Sequence, residues 1–339
     1  MRNISIYLLI ILIGALVSCE ENPNQSLPGY SGRQGEIVII IDNHLWNGQE
    51  GKMIKGLLEA PQYGLPQNEP LFHVITAEHK NFSTIFRTYR NLIIVDIDPE
   101  KKTAIDIRKS VWAKDQLVVE LTASNATEFS SLFLEYIETI VNRIAEAEIE
   151  RLISRHKKLG EKSLNTSLTK QLGLTIAAQK DAYIATKNDC VVWIRVERER
   201  PVGGYQHQIS QGVLIYSYPY KNKEQLQLES LLAVKDSIGK IYLPGPNEGA
   251  YMITSKKLLK PIAKEITFNK KYAVEIRGLW RMQNGFMGGP FISLSFVDEK
   301  KNRIVTAEGY VYAPQFNKRE YLREVEAMVK SIRFSSSKN

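Results

Sequence analysis

The chain reads as a mixed protein, an α/β layer followed by an α+β layer. Three observations predict this. Apolar β-branched runs alternate with helix-period segments in the first half. One long amphipathic helix follows them. After Gly173 the pattern changes to strands at turn-punctuated intervals, with a helix inserted midway and another at the end. Apolar residues make up 43% of the 339 residues, enough for a packed core.

Residues 1–19, MRNISIYLLIILIGALVSC, come first. Arg2 gives a positive start, and Ile4 to Val17 is a nearly unbroken apolar run. That run suits a signal peptide and falls short of the roughly 20 residues of a membrane-spanning helix. Leu16-Val17-Ser18-Cys19 has the form of a bacterial lipobox and resembles the signal of Gram-negative lipoproteins. The resemblance implies cleavage after residue 18 and a diacylglyceryl thioether on the Cys19 sulfur, whose thiolate is the available nucleophile. One acyl chain binds a bilayer marginally, at about 0.8 kcal/mol per buried methylene, so two or three make a stable anchor. The expected address is the cell envelope of a Gram-negative bacterium, lipid-anchored at the periplasmic face or in the outer membrane. Residues 19–34 are polar, carry two prolines and two glycines, and read as a tether. A single further cysteine, Cys190, opens an apolar run and is expected to be buried.

Residues 35–158 are expected to form the α/β domain, with four strands. Gly35 to Asp42 reads as a buried central strand. Asn47-Gly48-Gln49-Glu50 has the form of a capping box for a helix through Leu58. Leu71 to Ala77 is a second strand, and Phe82, Ile85, Phe86 and Tyr89 have helical spacing. Asn91 to Asp98 is a third strand. Thr103 to Trp112 reads as a short helix with Ile105, Arg108 and Trp112 on one face, and Leu117 to Thr122 as the fourth strand. Asn125-x-x-Glu128 caps the long helix, whose apolar face runs from Phe129 to Ile144. Its charged tail, Glu146 to Lys158, is expected to project into solvent and lead to a second domain.

Residues 159–339 are expected to be that α+β domain. Residues 159–172 are polar, as a loop or a short helix. Short strands are expected at 174–177, 182–186, 190–197 and 212–218, then a helix capped at Asn222 with Leu228, Leu231, Leu232 and Ile238 inward. Further strands follow at 251–255, 272–280, 290–297 and 303–312. The last helix starts at Asn317-x-x-Glu320 and buries Leu322, Val325, Met328, Val329 and Ile332. The order of elements over about residues 173–334 looks like the Mog1/PsbP-type sandwich, a likeness of fold that fixes no function. Tyr242-Leu243-Pro244-Gly245-Pro246, Arg277-Gly278-Leu279-Trp280-Arg281, Met287-Gly288-Gly289-Pro290-Phe291 and Gly309-Tyr310-Val311-Tyr312-Ala313-Pro314 are distinctive. With the lipobox, the Gly35 strand, Trp112-Ala113 and Lys318-Arg319-Glu320-Tyr321-Leu322, they resemble an uncharacterised lipoprotein family, domain of unknown function 4837, across nearly the whole chain. The resemblance implies no activity, cofactor or catalytic residue.

The chemistry in the sequence is sparse. The net charge of +8 is interleaved, without a basic block, which argues against nucleic-acid recognition. Five histidines form neither H-x-H nor H-E-x-x-H, so no metal is expected. There is no phosphate loop, dinucleotide fingerprint or G-x-S-x-G elbow. Ser154-x-x-Lys157 and Ser167-x-x-Lys170 lack the companion motifs of penicillin-binding enzymes. No cofactor is expected. The leading expectation is a membrane-anchored, non-catalytic binding or assembly module for an envelope protein or glycan. Its candidate binding residues are Arg277, Trp280, Arg281 and Asn284 beside Gly288 and Gly289, planar donors and a stacking face next to open backbone. The same residues also suit a core tryptophan and a glycine-shaped hairpin. The alternative is an envelope hydrolase acting on glycan or peptide through carboxylates such as Asp42, Asp98 or Glu275. Asp42 and Asp98 equally suit turns, and Glu197 with Glu199 suits a solvated ion-pair cluster.

Overall fold

The computed structural model describes residues 26–335; the leader and Cys19 lie outside the described residues. The first half builds a five-stranded sheet. Its strands are β1 (Glu36–Ile40), β2 (His73–Ala77), β3 (Asn91–Ile97), β4 (Ala104–Lys109) and β5 (Leu117–Ala123), in the order β2-β1-β3-β5-β4. The first four in that order run parallel, and β4 lies antiparallel to β5 at the edge. Helices α1 (Asn43–Trp46) and α2 (Gln49–Leu58) follow β1, and the single turn α3 (Thr84–Arg87) precedes β3. Gly48, not Asn47, is the N-cap of α2, and it makes no side-chain cap bond.

The layer has five strands because residues 104–109 are extended, not helical. Ile105 and Ile107 point inward while Ala104, Asp106 and Arg108 face solvent, a period of two. Ile105, Arg108 and Trp112 do have helical spacing, but Ile107 shares the inward face with Ile105 and Arg108 is exposed. Ser110 and Asp115, both at positive φ, shape the turn into β5.

The long helix α4 (Ala126–Leu159) starts where Asn125 accepts the Glu128 N–H at 3.0 Å. Phe129, Leu132, Phe133, Ile140 and Ile144 bury against the sheet with α2. Its tail only partly faces solvent, because one side of it is buried. Glu148 is fully buried and takes Arg90 at 2.9 Å, Arg151 at 2.8 Å and the Asn91 amide at 2.7 Å. Arg151 also donates to the Arg90 carbonyl at 2.7 Å, and the Tyr30 ring lies under both guanidiniums. Glu148 and Arg151 are tolerated inside because each is paired there, while Glu146, Glu150, Arg155, Lys157 and Lys158 stay exposed.

The second half adds α5 (Leu164–Leu172), β6 (Leu174–Thr175), β7 (Tyr183–Lys187), β8 (Val191–Val202), β9 (Tyr205–Pro219) and α6 (Leu228–Tyr242). Then come β10 (Tyr251–Ser255), β11 (Ile262–Phe268), β12 (Lys271–Gln283), β13 (Gly288–Asp298), β14 (Arg303–Tyr312), α7 (Arg319–Lys330) and β15 (Arg333–Phe334). The large sheet is antiparallel, in the order β10-β12-β13-β14-β9-β8-β7, with β11 pairing on β12 as well. Two expectations change here. The strands at 190–197 and 212–218 are parts of one long hairpin whose turn is Gly203-Gly204, both at positive φ. Cys190 is exposed at the β7–β8 turn, its N–H donating to Asn188 at 3.0 Å. One face of the sheet packs on α5 and α7, the other on α6.

The halves meet at α7. The N–H groups of Lys318 and Arg319 open the helix, and the buried Glu69 carboxylate accepts both, at 2.7 and 2.8 Å. The cap is therefore supplied from the first half, not by Asn317. Arg319 and Arg323 donate to the carbonyls of Pro70 and Leu71. Ile149 and Leu152 of α4 pack on Ala327.

Candidate functional site

Strand periodicity decides what becomes of the sequence-predicted residues. Along β12, Ala273 belongs to the core under α7, whereas Val274, Ile276, Trp280 and Met282 belong to the core under α6. Odd and even positions thus face opposite ways. Arg277 and Arg281 lie on the α7 face, and Trp280 on the α6 face. The indole is 2% exposed and donates to the Val311 carbonyl at 3.1 Å, with the Tyr310 ring edge-on at 5.8 Å. Gly289 pairs with Trp280, and a Cβ there would stand 2.0 Å from the Val311 oxygen, so the glycine serves packing. Gly288 pairs with Arg281. Asn284 sits at positive φ in the exposed β12–β13 turn. Arg281 is about 13 Å along the strand from Arg277. The six residues form no common surface.

Arg277 belongs to a different group. It donates to Glu275 at 2.7 Å and is paired with Glu326 of α7, while Lys330 reaches Glu275 at 3.1 Å and Glu326 at 2.7 Å. Two carboxylates and two cations thus close a ring between β12 and one face of α7. Burial raises the Glu326 carboxyl, but Arg277 and Lys330 outweigh it and hold the group well below the usual carboxylate range. Burial lowers both cations, and the two glutamates more than reverse this, so each stays charged.

This ring floors a cleft of about 570 Å³ between α4, β11, β12 and α7. Glu146 and Glu150 on its α4 wall are engaged by Arg143 at 3.5 Å and Lys109 at 2.6 Å. Lys264 of β11 and Arg333 are the lining cations with no carboxylate within ion-pair distance among the described residues. On the α6 face, a wider groove of about 820 Å³ runs over Tyr272, Val274, Leu228 and Val297, with Lys271 and Glu299 paired across it at 3.1 Å.

The other sequence candidates sit elsewhere. Asp98 accepts the Glu100 N–H at 2.9 Å, a turn contact. Asp42 precedes α1 and makes no side-chain cap bond. Glu197 is tied to Arg195 and accepts from Ser210 at 2.8 Å. Among the described residues no three His, Cys, Asp or Glu side chains gather to hold a metal ion. Sequence reasoning missed Lys264, Glu326 and Lys330. The Glu326-x-x-x-Lys330 spacing on one helix face was the signal for two of them.

A chain with two large sheets and a charged cleft between a long helix and a β-edge is the class that fold and site define. Residues 161–331 match the family described as domain of unknown function (DUF4837), and the chain belongs to that family. Residues 31–157 match a second one, domain of unknown function (DUF8532), so the first does not run across nearly the whole chain. No curated protein matches.

Proposed function

We propose that the chain is a membrane-anchored, non-catalytic binding or assembly module of the cell envelope. The cleft between α4, β11 and α7 would be its binding site. One observation carries the reading: the two carboxylates that meet in the cleft, Glu275 and Glu326, are both bound to Arg277 and Lys330. A hydrolytic pair needs one carboxyl that keeps a proton near neutral pH. Glu326 is driven the opposite way. What remains is a shaped, polar surface with two uncommitted cations, which suits recognition of an acidic group. The anchor is supported by the lipobox ending at Cys19 and by the polar tether after it. Among the described residues no helix is long and apolar enough to cross a membrane.

The test is photocrosslinking in intact cells. A benzoylphenylalanine replacing Lys264 is expected to give one dominant adduct with an envelope component. The same residue replacing the exposed Tyr205, at the tip of the long hairpin, is expected to give none. Equal yields at both positions, or none at Lys264, would overturn the assignment.

A further inference from the structure

We propose that the outer edge of β11 accepts an extended acidic peptide as an added strand. The proposal rests on the binding-module reading above and names the class of its partner. β11 pairs with β12 along all seven residues, in unbroken register from Ile262↔Arg277 to Phe268↔Lys271. Among the described residues no strand, bridge or backbone hydrogen bond occupies its other side. Residues 262–265 and Thr267 are exposed. Alternate N–H and C=O groups therefore point to solvent, the template that strand addition uses.

The other end of the sheet is guarded differently. The outermost strand there, β7, has a register shift between Ile184 and Thr186, a break that blunts pairing. β11 carries no such break, and Pro261 stands just before it, outside the paired residues.

The surroundings of the edge fit alternating side chains. Lys264, Ile266 and Phe268 point to the α4–α7 cleft, and Ala263 and Glu265 to the Tyr272 groove. Residues of an added strand would alternate between these two concavities in the same way. On the cleft side, Glu275 and Glu326 already hold Arg277 and Lys330, and Glu146 and Glu150 are engaged by Arg143 and Lys109. That leaves Lys264 and Arg333 for a carboxylate of the guest; Arg333 at present donates only to main-chain carbonyls. On the groove side, Tyr272, Leu228, Val274 and Val297 offer an apolar floor for the intervening residue. Charge complementarity thus selects a partner strand alternating acidic with apolar residues.

The probe is a fluorescent eight-residue peptide alternating glutamate with valine, titrated into the full chain. Saturable, salt-sensitive binding is expected. N-methylation of one alternate set of its amides should weaken binding at least about tenfold, while N-methylation of the other set leaves it nearly unchanged. Lys264→Glu, an exposed change that spares the core, should weaken it about tenfold as well. Equal affinity of both N-methylated peptides with the parent would show attraction by charge alone and overturn strand addition. No binding by the parent peptide would overturn it too. So would a self-associating chain whose dimer is abolished by Lys264→Glu, because a second copy would then own the edge. If the Lys264 crosslink forms in cells while the peptide fails, the cleft remains a binding site and only strand addition falls. If both fail, both fall.

Discussion

His156 sits in the last helical turn of α4, buried where the helix meets the second half. Burial pushes its pKa down to about 4, and Arg155 and Arg198 add to the effect, against a smaller opposing hydrogen bond with the Ala177 backbone. The folded chain therefore keeps it neutral where an unfolded chain would bind a proton. Between pH 6.5 and about 4 the unfolded state holds more protons, so stability falls as pH falls through that window and is fully present above it. The loss amounts to about 2 kcal/mol by pH 5. Urea denaturation at pH 7 and pH 5 should show that drop, and His156→Gln should remove most of it. An undiminished drop in the variant would assign acid sensitivity to other groups. Trp280 makes a second point at this scale. Its place beside two arginines in sequence suggested a stacking surface, yet strand alternation sends the indole and the guanidiniums to opposite faces. Proximity in a strand sequence means opposition in space when positions differ by an odd number.

At the scale of elements, α7 shows how a helix from one half depends on the other. Its first free N–H groups are satisfied by Glu69, about 250 residues earlier in the chain. Glu69→Ala leaves those donors buried without a partner and should cost about 1–3 kcal/mol. Because the same carboxylate ties α7 to the Pro61–Leu71 segment, the variant should also let the halves unfold in separate steps. Denaturation followed both by far-ultraviolet circular dichroism and by tryptophan fluorescence would check this; coincident, unshifted transitions would refute it. The element order and both sheets were largely legible in the sequence, because long apolar periods mark α4, α7 and the buried strands. The misses share a cause. β4 and β11 are edge strands, half exposed, so their inward residues are few and mixed with charge. The β11–β12 turn is Asn269-Lys270, both at positive φ, without the glycine that usually announces such a turn. The tail of α4 reads as solvated because its partners, Arg90 and Asn91, lie about 60 residues away. Of the cleft, Arg277 and Glu275 were legible as single residues, but the ring they share with Glu326 and Lys330 exists only after α7 packs on β12.

At the scale of the whole molecule, the cleft is a joint product. α4 comes from the span matched by one family and β11, β12 and α7 from the span matched by the other. The proposed module would hold its partner beside a membrane through a lipid on Cys19, joined by residues 19–34 to the folded body. Intact mass spectrometry of the chain purified from the membranes of its own cells measures that attachment directly. The predicted species lacks residues 1–18 and carries a diacylglyceryl group, with or without a further acyl chain, on Cys19. A chain that retains Met1, bears a free thiol at Cys19 and fractionates with soluble protein would contradict the account.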